Sequence, residues 1–162
     1  MEYLEHIKSK IISPEGLACK RAYWKLKEQP VVFTNGCFDI LHRGHIEYLA
    51  KAASLGKVMV IGVNTDSSVR RIKGESRPVQ DEYTRALILA SLEFVSAVVL
   101  FDEETPYELI KVAQPDILVK GADYKPEEIV GYDIVTQRGG NVVTIQFVEG
   151  FSTTSIISKL NK

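Results

Sequence analysis

A chain of 162 residues is long enough to bury one substantial hydrophobic core, and we read residues 1–162 as a single domain in which a helical cover at 1–29 lies over a core at 30–162. Its 20 Lys and Arg against 21 Asp and Glu leave a net charge of -1, which supplies no general attraction for nucleic acid and confines phosphate binding to locally placed cations. Cys19 and Cys37 lack metal-type spacing, no apolar run approaches the roughly 20 residues of a membrane span, and residues 1–10 are too charged for a signal peptide, so the expectation is a cytoplasmic protein with free thiols, no bound membrane and no resident metal.

Ser13 ahead of Pro14 places a capping hydroxyl before proline at a first helical position, and the periodic stretch 17–27 predicts an amphipathic helix. Val31-Val32-Phe33-Thr34 is the β-branched and aromatic run of a strand buried on both faces, ended by Asn35-Gly36. Ile46, Leu49, Ala50 and Ala53 recur at helical spacing, predicting a helix over 45–55 that stops at Gly56 before a strand at 58–63. Helices near 81–92, from Thr105-Pro106, near 132–138 and from Ser152 alternate with strands at 97–101, 117–120 and 142–147. The alternation predicts an α/β fold, a Rossmann-like doubly wound sheet of five parallel strands. Ligands of such sheets lie beyond the carboxyl ends of the strands where strand order reverses, so the loops after Thr34, Val63, Phe101, Val119 and Phe147 are the candidate site.

The loop from Gly36 to His45 carries the strongest chemical signal. Gly36 permits a tight turn, and Gly44 lets a phosphate approach the helix start with no Cβ in the way. His42 and His45, three apart on the first turn, can project together and donate imidazole hydrogen bonds to phosphate oxygens as charge develops. Neither cysteine completes a zinc set with them. Asp39 either faces the substrate or holds the loop through backbone hydrogen bonds, and Cys37, with no base spaced to activate it, serves packing at the edge of the nucleotide site.

Further along, Lys73, Arg77 and Arg85 follow the second strand in a stretch rich in Gly, Ser and Pro, where they could fold over a substrate. Lys120 ends an apolar strand before Gly121, which brings its ammonium out at the ligand edge beside Asp123 and Tyr124. Asn64 and Asp66 stand at the end of the second strand, either contacting substrate hydroxyls or forming a turn. Ser152, Thr153 and Thr154 open the last helix with hydroxyls and backbone amides suited to an anion.

The run Gly36-Cys37-Phe38-Asp39-Ile40-Leu41-His42-Arg43-Gly44-His45 resembles the signature of the cytidylyltransferase-like nucleotidyltransferase superfamily. Phe33-Thr34-Asn35, Gly62-Val63-Asn64-Thr65-Asp66, Lys73-Gly74, Arg77-Pro78, 118–124 and 150–157 sharpen this into a resemblance to the heptose 1-phosphate adenylyltransferase branch. The resemblance implies a nucleotidyltransferase fold and transfer of AMP from ATP to D-glycero-β-D-manno-heptose 1-phosphate. ADP-heptose for lipopolysaccharide or surface glycan would result, with pyrophosphate released and Mg2+ carried on the ATP phosphates. It further implies a homodimer and, for a chain too short to include one, a sugar kinase on a separate protein. On this reading His42, His45, Lys73 and Lys120 are catalytic. Asn35, Gly36, Cys37, Phe38, Gly44, Gly121, Asp123, Ser152, Thr153 and Thr154 join His42, His45 and Lys120 in binding nucleotide, and Asp39, Asn64, Asp66, Lys73, Arg77 and Arg85 bind the acceptor. Glycerol phosphate with CTP is the nearest rival, opposed by Gln146-Phe147-Val148-Glu149-Gly150-Phe151-Ser152 standing where that cytidylyltransferase has Arg-Thr-x-Gly-Ile-Ser. A nucleotide sensor without catalysis is the alternative from another class; an aminoacyl-tRNA synthetase fragment fits poorly with the near-neutral charge.

Overall fold

The computed structural model describes residues 2–123, 125–146, 150–151 and 153–160. Five strands, β1 (Val31–Gly36), β2 (Val58–Asn64), β3 (Ala97–Phe101), β4 (Ile117–Gly121) and β5 (Asn141–Ile145), form one sheet in the order β3-β2-β1-β4-β5. Every pairing is parallel, as the alternation of strand and helix patterns predicts. β1 and β2 are buried over almost their whole length, which explains why they read as continuous apolar runs rather than alternating ones.

The helices are α1 (Tyr3–Lys8), α2 (Pro14–Leu26), α3 (Arg43–Ala53), α4 (Asp66–Lys73), α5 (Glu82–Ala90), α6 (Tyr107–Ala113), α7 (Tyr132–Gln137) and α8 (Thr153–Leu160). They divide the core in two. Leu17, Trp24, Leu109, Ile110 and Val135 from α2, α6 and α7 pack on one face with Val31, Phe33 and Leu118. Tyr48, Leu49, Ala52, Ala86 and Leu89 from α3 and α5 pack on the other with Val32, Met59 and Val119.

At the amino ends of the strands, Arg21 of α2 donates from Nε to the Gln114 carbonyl at 2.9 Å and pairs with Asp116, whose carboxylate also accepts from the Val31 amide at 2.8 Å. This ties the N-terminal cover to the start of β1. Residues 10–12 run beside β3, where the Val98 amide donates to the Lys10 carbonyl and the Ile12 amide to the Val98 carbonyl.

Two helices depart from the sequence reading. α1 has no counterpart in the sequence pattern, and α4 forms where the stretch after the second strand shows no helical period. Thr65 caps α4, its hydroxyl accepting from the Ser68 amide at 3.2 Å, and Gly74 ends it at φ +93°. Its buried positions are only Ser68 and Val69, too few apolar residues to show a helical period.

Candidate active site

β1 lies at the centre of the sheet, and the chain leaves it in one direction to β2 and in the other to β4, so a crevice opens at their carboxyl ends. A cavity of about 370 Å3 fills that crevice, walled by the loop after β1, the ends of β2 and β4, Lys73 and Thr153.

The loop after β1 is tightly constrained. Phe38 adopts φ +47°, rare for a bulky residue, and its buried ring meets the edge of His45 at 5.4 Å between centroids. A Cβ on Gly36 would stand 3.1 Å from that ring, so the glycine makes room for it. The side chain of His42, the N-cap of α3, makes no capping hydrogen bond; the His45 amide donates to the His42 carbonyl at 2.9 Å, and the amides of Arg43 and Gly44 at the helix start are those left to an anion. The two imidazoles stack at 3.9 Å with 24° between their planes; His45 lines the cavity, and His42 is outside its lining, reaching it through the His45 ring. A Cβ on Gly44 would come within 3.1 Å of the His42 ring and 3.2 Å of Phe151 Cβ. Glycine here therefore serves the packing of the histidine as well as access to the helix start. Arg43 lies over the Phe151 ring at 5.4 Å, bringing the segment before α8 beside the start of α3.

Burial lowers the pKa of His42. His45 is lowered to about 4, chiefly by burial and further by His42 and Lys73, against a small opposing contribution from the Ile40 backbone. Both rings are thus neutral near pH 7 in the free protein. Lys120 donates to Asn35 Oδ1 and is lowered to about 8 by burial. Burial also pushes the Cys37 thiol up, with Lys73 and Arg85 opposing; Cys37 is a cavity wall, its Sγ 3.9 Å from Asn64 Oδ1, and not an activated nucleophile.

The expected acceptor-binding residues separate into two groups. Lys73, exposed at the end of α4, and Asn64 line the cavity, though Asn64 is 4% exposed and also donates to Ser68 Oγ at 3.0 Å. Asp39, Asp66, Arg77 and Arg85 are instead engaged with one another's segments. Asp39 accepts from the Val79 and Gln80 amides at 2.8 and 3.1 Å and lies 2.6 Å from Arg77 Nε. Arg85, 1% exposed, donates to the Cys37 carbonyl at 2.6 Å, the Gln80 carbonyl at 3.0 Å and Asp66 Oδ1 at 2.8 Å. These four hold the histidine loop, the 77–80 segment and the start of α4 together. Arg85 is thereby corrected from a cation folding over a substrate to a buried clamp: α5 carries it inward beneath the loop. Asp39 takes the structural of its two readings while remaining in the cavity wall.

Asn35, Gly36, Cys37, Phe38, Gly121, Asp123 and Thr153 all border the cavity. Ser152 and Tyr124 lie outside the described residues, as do Phe147, Val148 and Glu149, and the side chain of Thr154 is likewise not described. Sequence reasoning missed Tyr48, which lines the cavity from α3. Thr34 Oγ1 donates to the Val119 carbonyl at 2.9 Å and lies 2.8 Å from the Tyr48 hydroxyl, which is left as the donor to it; burial pushes Tyr48 up to about 12. Its spacing three residues beyond His45 was the available signal. Among the described residues, no three His, Cys, Asp or Glu side chains gather closely enough to hold a metal ion, and no helix is long and apolar enough to cross a membrane.

A parallel sheet with a glycine-bordered histidine pair at its switch point defines a nucleotidyltransferase-like α/β fold, and the chain belongs to the cytidylyltransferase-like family, whose profile matches residues 33–159. It is 53% identical over 152 residues to the bifunctional protein HldE of Geobacter metallireducens, covering 94% of this chain and 31% of that one. It is 58% identical over 130 residues to the bifunctional protein HldE of Nitratiruptor sp., covering 80% of this chain and 27% of that one. The chain thus spans about a third or less of the length of these relatives. The lipopolysaccharide core biosynthesis protein of Thermoplasma volcanium superposes with a TM-score of 0.59 at 28% identity, over 74% of this chain and 97% of that one. The pantoate-beta-alanine ligase of Francisella tularensis shares the fold at a TM-score of 0.63 and 16% identity, over 93% of this chain and 76% of that one.

Proposed function

We propose that the protein transfers AMP from ATP to D-glycero-β-D-manno-heptose 1-phosphate, giving ADP-heptose and pyrophosphate. The observation that carries this reading is the stacked His42–His45 pair at a helix start without a side-chain cap, with His45, Lys73 and Lys120 around one cavity. The 53% identity to a bifunctional HldE and the likeness to a lipopolysaccharide core biosynthesis protein support the sugar phosphate and its use in a surface glycan.

An oxygen of the sugar phosphate attacks the α-phosphorus as the bond from that phosphorus to the β-phosphate bridging oxygen breaks, and pyrophosphate departs with those electrons. With a second pKa near 6 the attacking phosphate is already ionised, so no general base is required. Catalysis rests on positioning and charge stabilisation. His42 and His45 donate N–H groups to the α-phosphate and leaving oxygens, the starts of α3 and α8 hold the leaving pyrophosphate, and Lys73 and Lys120 draw the two anions together. Asn35, by accepting from Lys120, fixes where that ammonium stands. Asp39 and Arg85 act indirectly, through the loops they join. The residues suit a divalent ion delivered on the nucleotide rather than held by a protein cage, as Mg2+ usually is on triphosphates; it neutralises phosphate charge when bound. The same reading makes the protein a cytoplasmic homodimer in a pathway that also uses a heptose 7-phosphate kinase.

The test is pyrophosphate release from ATP, CTP, GTP and UTP, each offered with heptose 1-phosphate and with glycerol 3-phosphate. ATP with the heptose should turn over fastest, and His42→Ala or His45→Ala should lower that rate about a hundredfold or more without unfolding the chain. Preference for CTP and glycerol phosphate would replace the proposal with its rival. Nucleotide binding with no turnover in any pairing would make the protein a sensor.

A further inference from the structure

A second cavity, of about 110 Å3, opens on the far side of Lys120 between Pro106 and the segment carrying Glu128, Ile129 and Val130. Lys120 borders both cavities, and they belong to opposite faces of the sheet. Ile129 packs into the core of α2, α6 and α7, whereas Phe38 and Tyr48 pack into that of α3 and α5. Pro106, Ile129 and Val130 give the smaller cavity its apolar lining, and the exposed Glu128 provides a carboxylate whose ion pair with Lys125 is a long 3.9 Å.

In-line displacement brings the entering oxygen to phosphorus opposite the departing one. If pyrophosphate leaves at the starts of α3 and α8, the acceptor approaches from across the sheet edge, past Lys120. Resting on the nucleotidyltransfer reading of the larger cavity, we propose that Pro106, Glu128, Ile129 and Val130 form the subsite for the sugar ring of the acceptor, with the acceptor's phosphate meeting Lys120 at the junction. A pyranose has C–H faces that suit Pro106, Ile129 and Val130, and hydroxyls that donate charge-assisted hydrogen bonds to Glu128.

The experiment is calorimetric titration of heptose 1-phosphate into the protein saturated with a non-hydrolysable ATP analogue, for wild type, Glu128→Ala and Val130→Trp, with the analogue titrated separately. Both substitutions fall on exposed positions, and circular dichroism checks the fold. Glu128→Ala should weaken the sugar phosphate about tenfold through the lost hydrogen bonds, Val130→Trp should weaken it by filling the cavity, and the analogue should bind unchanged. Glycerol 3-phosphate, which has no ring, should be indifferent to Val130→Trp. Sugar-phosphate affinity within about twofold of wild type in both variants overturns the proposal, as does a loss that falls on the ATP analogue or a wild type that binds no sugar 1-phosphate. Wild type that binds the sugar phosphate as described but releases no pyrophosphate overturns the transfer reading alone and leaves the subsite supported.

Discussion

His45 and Lys120 both sit where burial disfavours their charged forms, and each imposes a pH dependence of known sign. The folded pKa of His45, about 4, lies below its ordinary value of 6.5, so between these limits the unfolded chain binds more protons and stability falls as pH is lowered. His45→Gln should flatten the urea midpoint measured from pH 6.5 to 4 relative to wild type. Lys120, lowered to about 8, loses its charge above that pH, so affinity for an ATP analogue should decline as pH rises from 7 to 9. Lys120→Arg, whose charge persists, should remove the decline. Arg85→Ala should destabilise the chain by about 3 kcal/mol, because it leaves buried carbonyls and Asp66 without their donor, as chemical denaturation would measure. Histidine, glycine and lysine at the strand ends were legible because few structural roles call for those types in that order. Arg85 was not, since a cation in a polar stretch gives no sign of being turned inward, and Tyr48 was hidden because a tyrosine on a helix's buried face is ordinary.

At the scale of elements, glycine decides how closely neighbours approach. A Cβ on Gly62 would stand 2.9 Å from Leu109 Cδ2 and 3.0 Å from Phe33 Cζ, so β2 and α6 meet across a position where an added methyl must push the Leu109 side chain aside. Gly62→Ala should cost about 1–3 kcal/mol by overpacking, read as a lower urea midpoint. The strands and the helices with sustained apolar periods, α2, α3 and α5, could be read from the residues because burial on a sheet writes a repeating pattern. α4 could not: it is eight residues long, buries only Ser68 and Val69, and is held by its Thr65 cap and by Asp102, which accepts from Thr65, Ser67 and Arg71. Cap chemistry fixes it more than hydrophobic contact does. The consequence for the site is that Lys73 leaves the end of a helix and not the middle of a free loop.

For the whole molecule, strand order does what spacing cannot announce. Five parallel strands follow from the alternation, but the order β3-β2-β1-β4-β5 depends on which crossover goes which way, and that choice brings Lys120 beside Asn35, 85 positions apart. The ribbon at residues 10–12 has a role far from the crevice. By pairing with both the amide and the carbonyl of Val98, it occupies the outer rim of β3 that would otherwise offer bare hydrogen-bonding groups to any passing strand. A version lacking residues 1–12 should keep its crevice yet clump with its own kind, visible as large scattering particles in dilute solution. The opening dozen residues thus act as a selvedge, keeping one border of the woven sheet from unravelling into its neighbours.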